Sequence, residues 1–174
     1  MRGNHSIINH QNSNLQAPNP EQTPHPSSYQ KEEIKTKIMP TKLTPLKDLQ
    51  VLTHQIPSYH LVPNTTLHNK PLLIYRAAFP PPLTNASLIE SHLTSVGVVA
   101  PQWRYTMYST SHFHSTSHEV LGIANGRARL CFGHEENEGR VVEEVRKGDV
   151  VVVPAGVAHR LMEDLEGGFA MVSY

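Results

Sequence analysis

The sequence predicts an all-β domain with one short helix and a disordered N-terminal extension. Three observations carry this prediction. Short apolar runs separated by turn-forming residues recur through the C-terminal half, one segment has helical periodicity, and the N-terminal quarter has few large apolar residues. The chain has 174 residues, a length that suits one domain with a core of its own.

The N-terminal segment is polar. Residues 1–45 are rich in Asn, Gln, Ser, Pro and His, with "APNPEQTPHPSSYQ" at their centre. Such a composition buries too little apolar surface to offset the entropy cost of ordering the chain. We expect residues 1–45 to be a disordered extension and residues 52–174 to form the folded domain.

The first elements of the domain are a strand and the helix. In "KPLLIYRAAF" a short apolar run lies between turn formers, which is typical of a buried strand. In "PPPLTNASLIESHLTSVG", Asn85 is suited to cap the start of a helix and Gly97 to end it. The apolar residues between them recur at helical spacing: Leu88, Ile89, Leu93 and Val96.

Short strands fill the rest of the chain after Trp103. The segments that read as strands are "HEVLGIA", "RARLCFG", "RVVEEV", "DVVVVP", "HRLMED" and "GFAMVSY". Their even spacing and the Gly, Asn, Asp and Pro residues between them indicate an antiparallel sandwich or barrel. The charged segment "GHEENEGR" is typical of a solvated hairpin tip.

Charge and cysteine content exclude several classes of protein. Lys+Arg and Asp+Glu number 15 each, so no basic excess is available for nucleic acid or an anionic membrane. The single cysteine, Cys131, cannot form an internal disulfide and is expected to be a small buried hydrophobe. The chain carries no membrane-spanning apolar run and no signal-peptide pattern. These features favour a cytoplasmic protein.

Two separated segments carry candidate metal ligands. His112 and His114 are two residues apart, so on an extended strand both side chains project from one face and can share an ion. Glu119 follows after "STSH" and could add a carboxylate oxygen. In "KGDVVVVPAGVAHR" a Pro-Ala-Gly turn precedes His159, and the turn would aim that imidazole.

These segments resemble the two motifs of the cupin family, G-x5-H-x-H-x3–4-E-x6-G and G-x5-P-x-G-x2-H-x3-N. The matching positions agree in order and spacing: His112, His114, Glu119 and Gly126 in the first motif, and Gly148, Pro154, Gly156 and His159 in the second. With "KPLLIYR" and "PQWRYTMY" upstream, the chain also looks like the YjlB-like small single-domain cupins. The resemblance covers roughly residues 52–174 and implies an RmlC-like jelly-roll barrel, a double-stranded β-helix.

The chain departs from the family pattern in three places. Thr106 stands where the first motif begins with glycine, and Glu163 stands where the second motif ends in asparagine. Neither position is a metal ligand in the family. Relatives continue beyond the region of "GGFAMVSY" with a Gly/Pro turn and a Trp-containing tail, whereas this sequence stops at Tyr174, so we expect the closing C-terminal segment to be missing.

The resemblance implies a divalent transition metal held by His112, His114, Glu119 and His159. Iron, manganese, nickel, cobalt and zinc all suit these ligands, and open coordination positions would remain for substrate. The implied function is a metal-dependent enzyme, a dioxygenase-type oxidoreductase or an isomerase, that acts on a small polar molecule inside the barrel. The alternative is a non-catalytic cupin that binds a metal or metabolite as a sensor or carrier. By resemblance alone we also expect a homodimer.

Three neighbouring residues are further candidates for the site: His118, Trp103 and Arg104. His118 adjoins Glu119, but on a regular strand its side chain would point to the opposite face, which argues against a ligand. Trp103 and Arg104 precede the first motif and are expected near the mouth of the site. Arg104 could pair with a substrate carboxylate there, although structural packing is the favoured role.

Overall fold

The computed structural model describes residues 42–174. The predicted extension of residues 1–45 therefore lies outside the described residues, except for its last four. The described residues form nine strands and one α-helix: β1 (Val51–His54), β2 (Leu72–Tyr75), α1 (Ala86–Val96), β3 (Trp103–Tyr105), β4 (Glu119–Asn125), β5 (Arg127–Phe132), β6 (Val141–Arg146), β7 (Val150–Val153), β8 (His159–Asp164) and β9 (Ala170–Ser173).

The strands build two antiparallel sheets. One has six strands in the order β1-β2-β7-β4-β9-β3, and the other has three in the order β6-β5-β8. Neighbours along the chain are often distant in the sheet, as in the pairing of β4 with both β7 and β9. This architecture confirms the predicted all-β class with one helix, and β5 and β6 flank the predicted hairpin tip.

The helix α1 has the predicted boundaries because local signals set both of them. The Asn85 side chain accepts a hydrogen bond from the Leu88 backbone N–H at 2.9 Å, which satisfies one of the free donors of the first turn. Gly97 ends the helix with φ 75°, a left-handed conformation that glycine adopts without steric cost.

Strand β4 separates two apolar layers. Leu121 and Ile123 point into the larger core between the sheets, whereas Val120 packs on the other side with Ile89 of the helix. Alternation along a strand produces this division. The helix lies close to the sheet at Gly122, where a Cβ atom would lie 2.6 Å from Ile89 Cγ2.

Two strands, β1 and β3, were not predicted from the sequence. Both lie at the edges of the six-stranded sheet, and every residue of β3 is exposed. Hydrogen bonds to the folded domain begin before residue 52, since the Thr44 backbone N–H donates to the carbonyl oxygen of Ala78, three residues after β2, at 3.2 Å. No helix in the described part of the chain is long and apolar enough to cross a membrane.

A buried ion-pair cluster joins the residues that follow β2, strand β6 and the residue that precedes β7. Asp149 has no exposed surface, and its carboxylate accepts from the Ala77 and Arg146 backbone N–H groups and from Arg76 Nη1 at 2.8, 3.2 and 2.9 Å. Arg76 Nη2 donates to Glu143 Oε2 at 2.8 Å. We call these residues the Asp149 cluster. Both Asp149 oxygens are fully partnered, which is the arrangement a buried charge requires.

Candidate metal centre

The first motif is held against the start of β8. The His112 backbone N–H donates to the His159 carbonyl at 3.3 Å, and the His159 N–H donates back to the His112 carbonyl at 2.9 Å. A third bond runs from Leu161 N–H to the Tyr108 carbonyl at 2.8 Å. This short antiparallel pairing places two predicted ligands directly opposite each other, with ring centroids 4.3 Å apart.

The Pro-Ala-Gly turn before β8 ties both motifs together. The Gly156 N–H donates to the His114 carbonyl at 2.8 Å, so the turn fixes the backbone of a ligand from the other motif. Gly156 has φ 92°, and a Cβ atom there would lie 2.9 Å from the Asn64 carbonyl oxygen. The motif glycine is therefore required by both the backbone conformation and the lack of space.

Asn64 supports this turn from a distant part of the chain. It is fully buried, its N–H donates to the Gly156 carbonyl at 2.9 Å, and its Oδ1 accepts from the Ala158 N–H at 3.2 Å. Its Nδ2 donates to the carbonyls of Pro57 and Gly133 at 2.8 and 3.2 Å. Asn64 thus fixes the position of the backbone at Ala158, the residue immediately before His159.

The three predicted histidines come together. Ligand atoms of His112, His114 and His159 all lie within 4.8 Å of one another; we call this group the histidine cluster. The Nδ1 atoms of His112 and His159 lie 3.2 and 3.0 Å from the carbonyl oxygens of Thr110 and Val157. A carbonyl accepts only from a protonated nitrogen, so Nε2 of each ring is left as the free ligand atom.

Glu119 lies beside the histidine cluster at the start of β4. Its Oε1 accepts from Ser173 Oγ at 2.6 Å. Its Oε2 lies 3.1 Å from His159 Nε2 and 3.7 Å from His114 Nε2, yet the alignment leaves Oε2 without a hydrogen bond, and His114 Nε2 also has none. Buried polar atoms without partners are rare. A cation between them would satisfy both, so these residues fit a metal ion.

The electrostatics of the site favour metal-binding protonation states. Burial, and then the neighbouring His159 ring, lowers the pKa of His112, which keeps that imidazole neutral. Burial alone would raise the pKa of Glu119, but close approach of His159 and the hydrogen bond from Ser173 outweigh it and lower the pKa. A neutral imidazole and an ionised carboxylate are the forms that bind a metal.

Three spaces adjoin the cluster. The space on the barrel side, between His112, His159 and Met171, holds about 10 Å³, room for about one water molecule. A second space, lined by residues 108–110 and His112, holds about 300 Å³. The third lies at the barrel mouth and holds about 380 Å³. We call it the mouth pocket; it reaches His114 and Glu119, and its walls include Val98, Val99, Gln102, Trp103, His118 and Tyr174. The barrel-side space is too small for a substrate, whereas the mouth pocket is large enough for one and reaches two of the candidate ligands.

The other residues considered in the sequence, His118, Trp103, Arg104 and Cys131, have different surroundings. His118 is not in the histidine cluster; its Nδ1 accepts from the Ala155 N–H at 2.9 Å. Trp103 lines the mouth pocket as expected. Arg104 faces the other side of β3 and pairs with Glu90 of α1 through two hydrogen bonds, which gives it a structural contact. Cys131 is buried with 1% exposure, as predicted.

Sequence reasoning missed the residues that support the ligands. Ser173 orients Glu119 across 54 residues of sequence, and Asn64 reaches Ala158 across 94. Neither residue lies in either of the two sequence motifs. Because serine and asparagine are common polar residues, only the folded geometry distinguishes these two from the others.

The fold and the histidine cluster define a class of protein: a barrel of two antiparallel sheets with a candidate metal centre at its mouth. A model of the cupin family matches residues 87–173, half of the chain. The chain belongs to the cupin family.

A curated relative has a similar sequence over part of its length. The uncharacterized protein YjlB of Bacillus subtilis (strain 168) is 34% identical over 90 residues, which are 52% of this chain and 50% of that protein. The matched region therefore spans half of the relative. This likeness agrees with the YjlB-like features seen in the sequence.

Two solved structures are similar to this chain at low identity and with low TM-scores. The Drosophila melanogaster CENP-C cupin domain is 8% identical with a TM-score of 0.33, covering 76% of this chain and 71% of that one. YcfD, a ribosomal oxygenase from Escherichia coli in complex with cobalt and succinic acid, is 15% identical with a TM-score of 0.35, covering 72% and 38%. Likenesses this weak do not bear on the activity of this chain.

Proposed function

We propose that the protein is a metal-dependent enzyme, a dioxygenase-type oxidoreductase or an isomerase, that acts on a small polar molecule. The observation that carries the proposal is the pair of buried, unpartnered atoms, His114 Nε2 and Glu119 Oε2, beside two further imidazoles. In a closed and purely structural polar cluster each atom would have a partner. Here the missing partner has the position and charge of a cation.

The ring nitrogens of His112, His114 and His159 and the Oε2 atom of Glu119 would hold the ion. Three nitrogens and one oxygen suit iron, manganese, nickel, cobalt or zinc. When bound, such an ion supplies a Lewis acid or redox centre with positions open to substrate. The carbonyls of Thr110 and Val157 set the orientation of two imidazoles, and such outer contacts tune a ligand's affinity.

The surroundings favour catalysis over a purely structural metal. Structural sites are closed by protein ligands, whereas catalytic sites keep an open position that substrate can reach. Two of the candidate ligands, His114 and Glu119, line a pocket of about 380 Å³. A pocket of this size falls in the range of small-molecule sites.

Metal content of natively purified, tag-free protein tests the proposal. We expect about one transition metal per chain, lost in the double variant His112→Ala/His159→Ala. The matched control is His92→Ala, because His92 is a histidine of α1 that packs on Phe79 outside the site. Metal-free wild type with an intact circular dichroism spectrum would overturn the proposal. Stoichiometric metal with a bound, unreacted metabolite would instead indicate the sensor or carrier function.

A further inference from the structure

We propose that Glu135 is a positioning residue for the metal centre, which holds Ser111 and Arg160 and thereby keeps His112 and His159 opposite each other. This inference rests on the proposed function, because it concerns the ligands of the same centre. It goes further by assigning a role to the charged hairpin tip, residues 133–140, which connects β5 to β6.

The segment that carries His112 has little backbone support of its own. Residues 106–118 connect β3 to β4, and the pairing of His112 with His159 is an isolated bridge rather than part of a strand ladder. Residues 108–110 and His112 also face the space of about 300 Å³. A segment with few backbone hydrogen bonds beside an open space opens at a low cost in free energy, so its position depends on other contacts.

Glu135 contacts both sides of this bridge. Ser111 Oγ donates a hydrogen bond to Glu135 Oε2, and Arg160 Nε lies 3.7 Å from the same oxygen. Ser111 precedes His112 and Arg160 follows His159, so in an antiparallel pairing they lie on the same side of the histidine pair. One carboxylate oxygen thus joins the two segments that carry these imidazoles. We call Ser111, Glu135 and Arg160 the clamp.

Arg160 supplies the positive charge of the clamp. Its Nη1 donates to the Ser109 carbonyl at 3.3 Å, so the guanidinium reaches a second residue of the His112 segment. Its Nε is buried and has no hydrogen bond among the described residues, and the Glu135 carboxylate lies beside it. The hydrogen bond from Ser111 is the main cause that lowers the pKa of Glu135, which keeps the carboxylate ionised at neutral pH.

The hairpin tip is itself anchored at its base. Asn137 is 4% exposed, and its Nδ2 donates to the carbonyls of Pro57 and Gly133 at 3.0 Å each. The Gly133 N–H donates to the carbonyl of Ala158 at 2.6 Å, the residue before His159. A tip that is fixed in this way can hold Ser111 and Arg160 in place, whereas a freely moving turn would move with them.

Amide hydrogen exchange of the metal-free, 174-residue chain tests the clamp directly. The reporting amides are those of His112 and Leu161, which form hydrogen bonds across the bridge. Glu135→Ala should raise their exchange rates about tenfold and leave the rates of the β4 and β7 amides unchanged. Glu135→Gln keeps an acceptor oxygen for Ser111 and should stay within about threefold of the wild type.

Binding of Co²⁺ to the same variants tests the consequence for the ligands. Competition with a chelator of known affinity should show about tenfold weaker binding in Glu135→Ala. The visible spectrum of the bound Co²⁺ should also change, because a displaced imidazole alters the coordination geometry, and a residue that only stabilises the fold would leave this spectrum as it is. The matched control is Glu138→Ala, exposed in the same tip, which should behave as the wild type.

The two readouts separate this inference from the proposed function. Unchanged exchange at His112 and Leu161 in Glu135→Ala, or a rise shared by β4 and β7, would overturn the clamp whether or not the protein binds metal. A metal-binding wild type whose Co²⁺ affinity and spectrum are unchanged in Glu135→Ala would overturn it as well. A wild type that binds no metal, but whose local exchange rises in Glu135→Ala, would overturn the proposed function and support the clamp.

Discussion

Two carboxylates, Asp149 and Glu119, are buried in the described part of the barrel, and their surroundings differ. Both oxygens of Asp149 accept hydrogen bonds, from two backbone N–H groups and a guanidinium. Glu119 has one oxygen bonded to Ser173 and one with no hydrogen bond. The first arrangement stabilises the fold, and the second leaves one carboxylate oxygen without a hydrogen bond beside the histidine cluster. Both carboxylates are buried, so the free oxygen rather than the burial distinguishes the candidate ligand from the structural residue.

The largest effect we expect is on the free energy of unfolding of Asp149→Asn. The amide would turn its NH₂ group toward an existing donor and leave Glu143 as the one remaining carboxylate that the structure pairs with Arg76. Breaking a buried ion pair in this way costs about 3–5 kcal/mol. Urea denaturation measures the loss, and Glu163→Gln, which breaks an exposed pair with Arg129, should cost less than about 1 kcal/mol. Equal costs would refute the contrast between buried and exposed pairs.

Asn64→Ala should have the next largest effect and should act on both stability and metal binding. It leaves the Ala158 N–H unpaired in the interior, at a cost of about 1–3 kcal/mol, and frees the turn that places His159. Asn69→Ala is the matched control, because both asparagines have φ 51° but Asn69 is exposed. Chemical denaturation and metal titration together check this; equal losses in both variants would show that backbone strain alone is responsible.

Metal affinity should fall with pH, by at least about tenfold between about pH 7 and pH 5, because protons compete for the imidazole nitrogens. Burial and the His159 ring lower the pKa of His112. This imidazole therefore stays neutral at pH values below about 6.5, the ordinary pKa of histidine. Protonation of His112 begins to lower the metal affinity only below that pH. Competition with a chelator of known affinity measures the profile. A flat affinity across this range would argue against imidazole ligands.

The smallest change in stability is expected for Glu119→Gln in metal-free protein, below about 1 kcal/mol. The substitution removes a buried charge with an unpartnered oxygen and retains an acceptor for Ser173. Metal content should nevertheless fall, because the anionic oxygen is lost. Thermal unfolding of the apo protein and elemental analysis of the purified protein give the two readouts. A stability loss as large as that of Asp149→Asn would mean that Glu119 is a structural residue.

Much of the fold was predictable because its signals are local. The cap at Asn85 and the stop at Gly97 bracket the helix, and six later strands alternate with turn residues. Strands β1 and β3 were missed because they are short edge strands that contain no fully buried residue. Pairing with a neighbour, rather than any pattern of their own, makes them strands.

The candidate ligands were predictable for a different reason. His112, His114 and His159 occupy motif positions. The turn that positions His159 can be recognised in the sequence from its proline and glycine, Pro154 and Gly156. Asn64 and Ser173 act through contacts that span 94 and 54 residues. Long-range hydrogen bonds leave no periodicity in a sequence, so these residues become visible only in the folded chain.

The burial of Cys131 has a practical consequence for site-directed chemistry. The chain has one cysteine, it is 1% exposed, and burial raises the pKa of its thiol. A buried thiol with little thiolate reacts slowly with maleimides and spin labels. A cysteine introduced at an exposed position, such as Val98 at the rim of the pocket, would then carry the label alone, without first removing the native one.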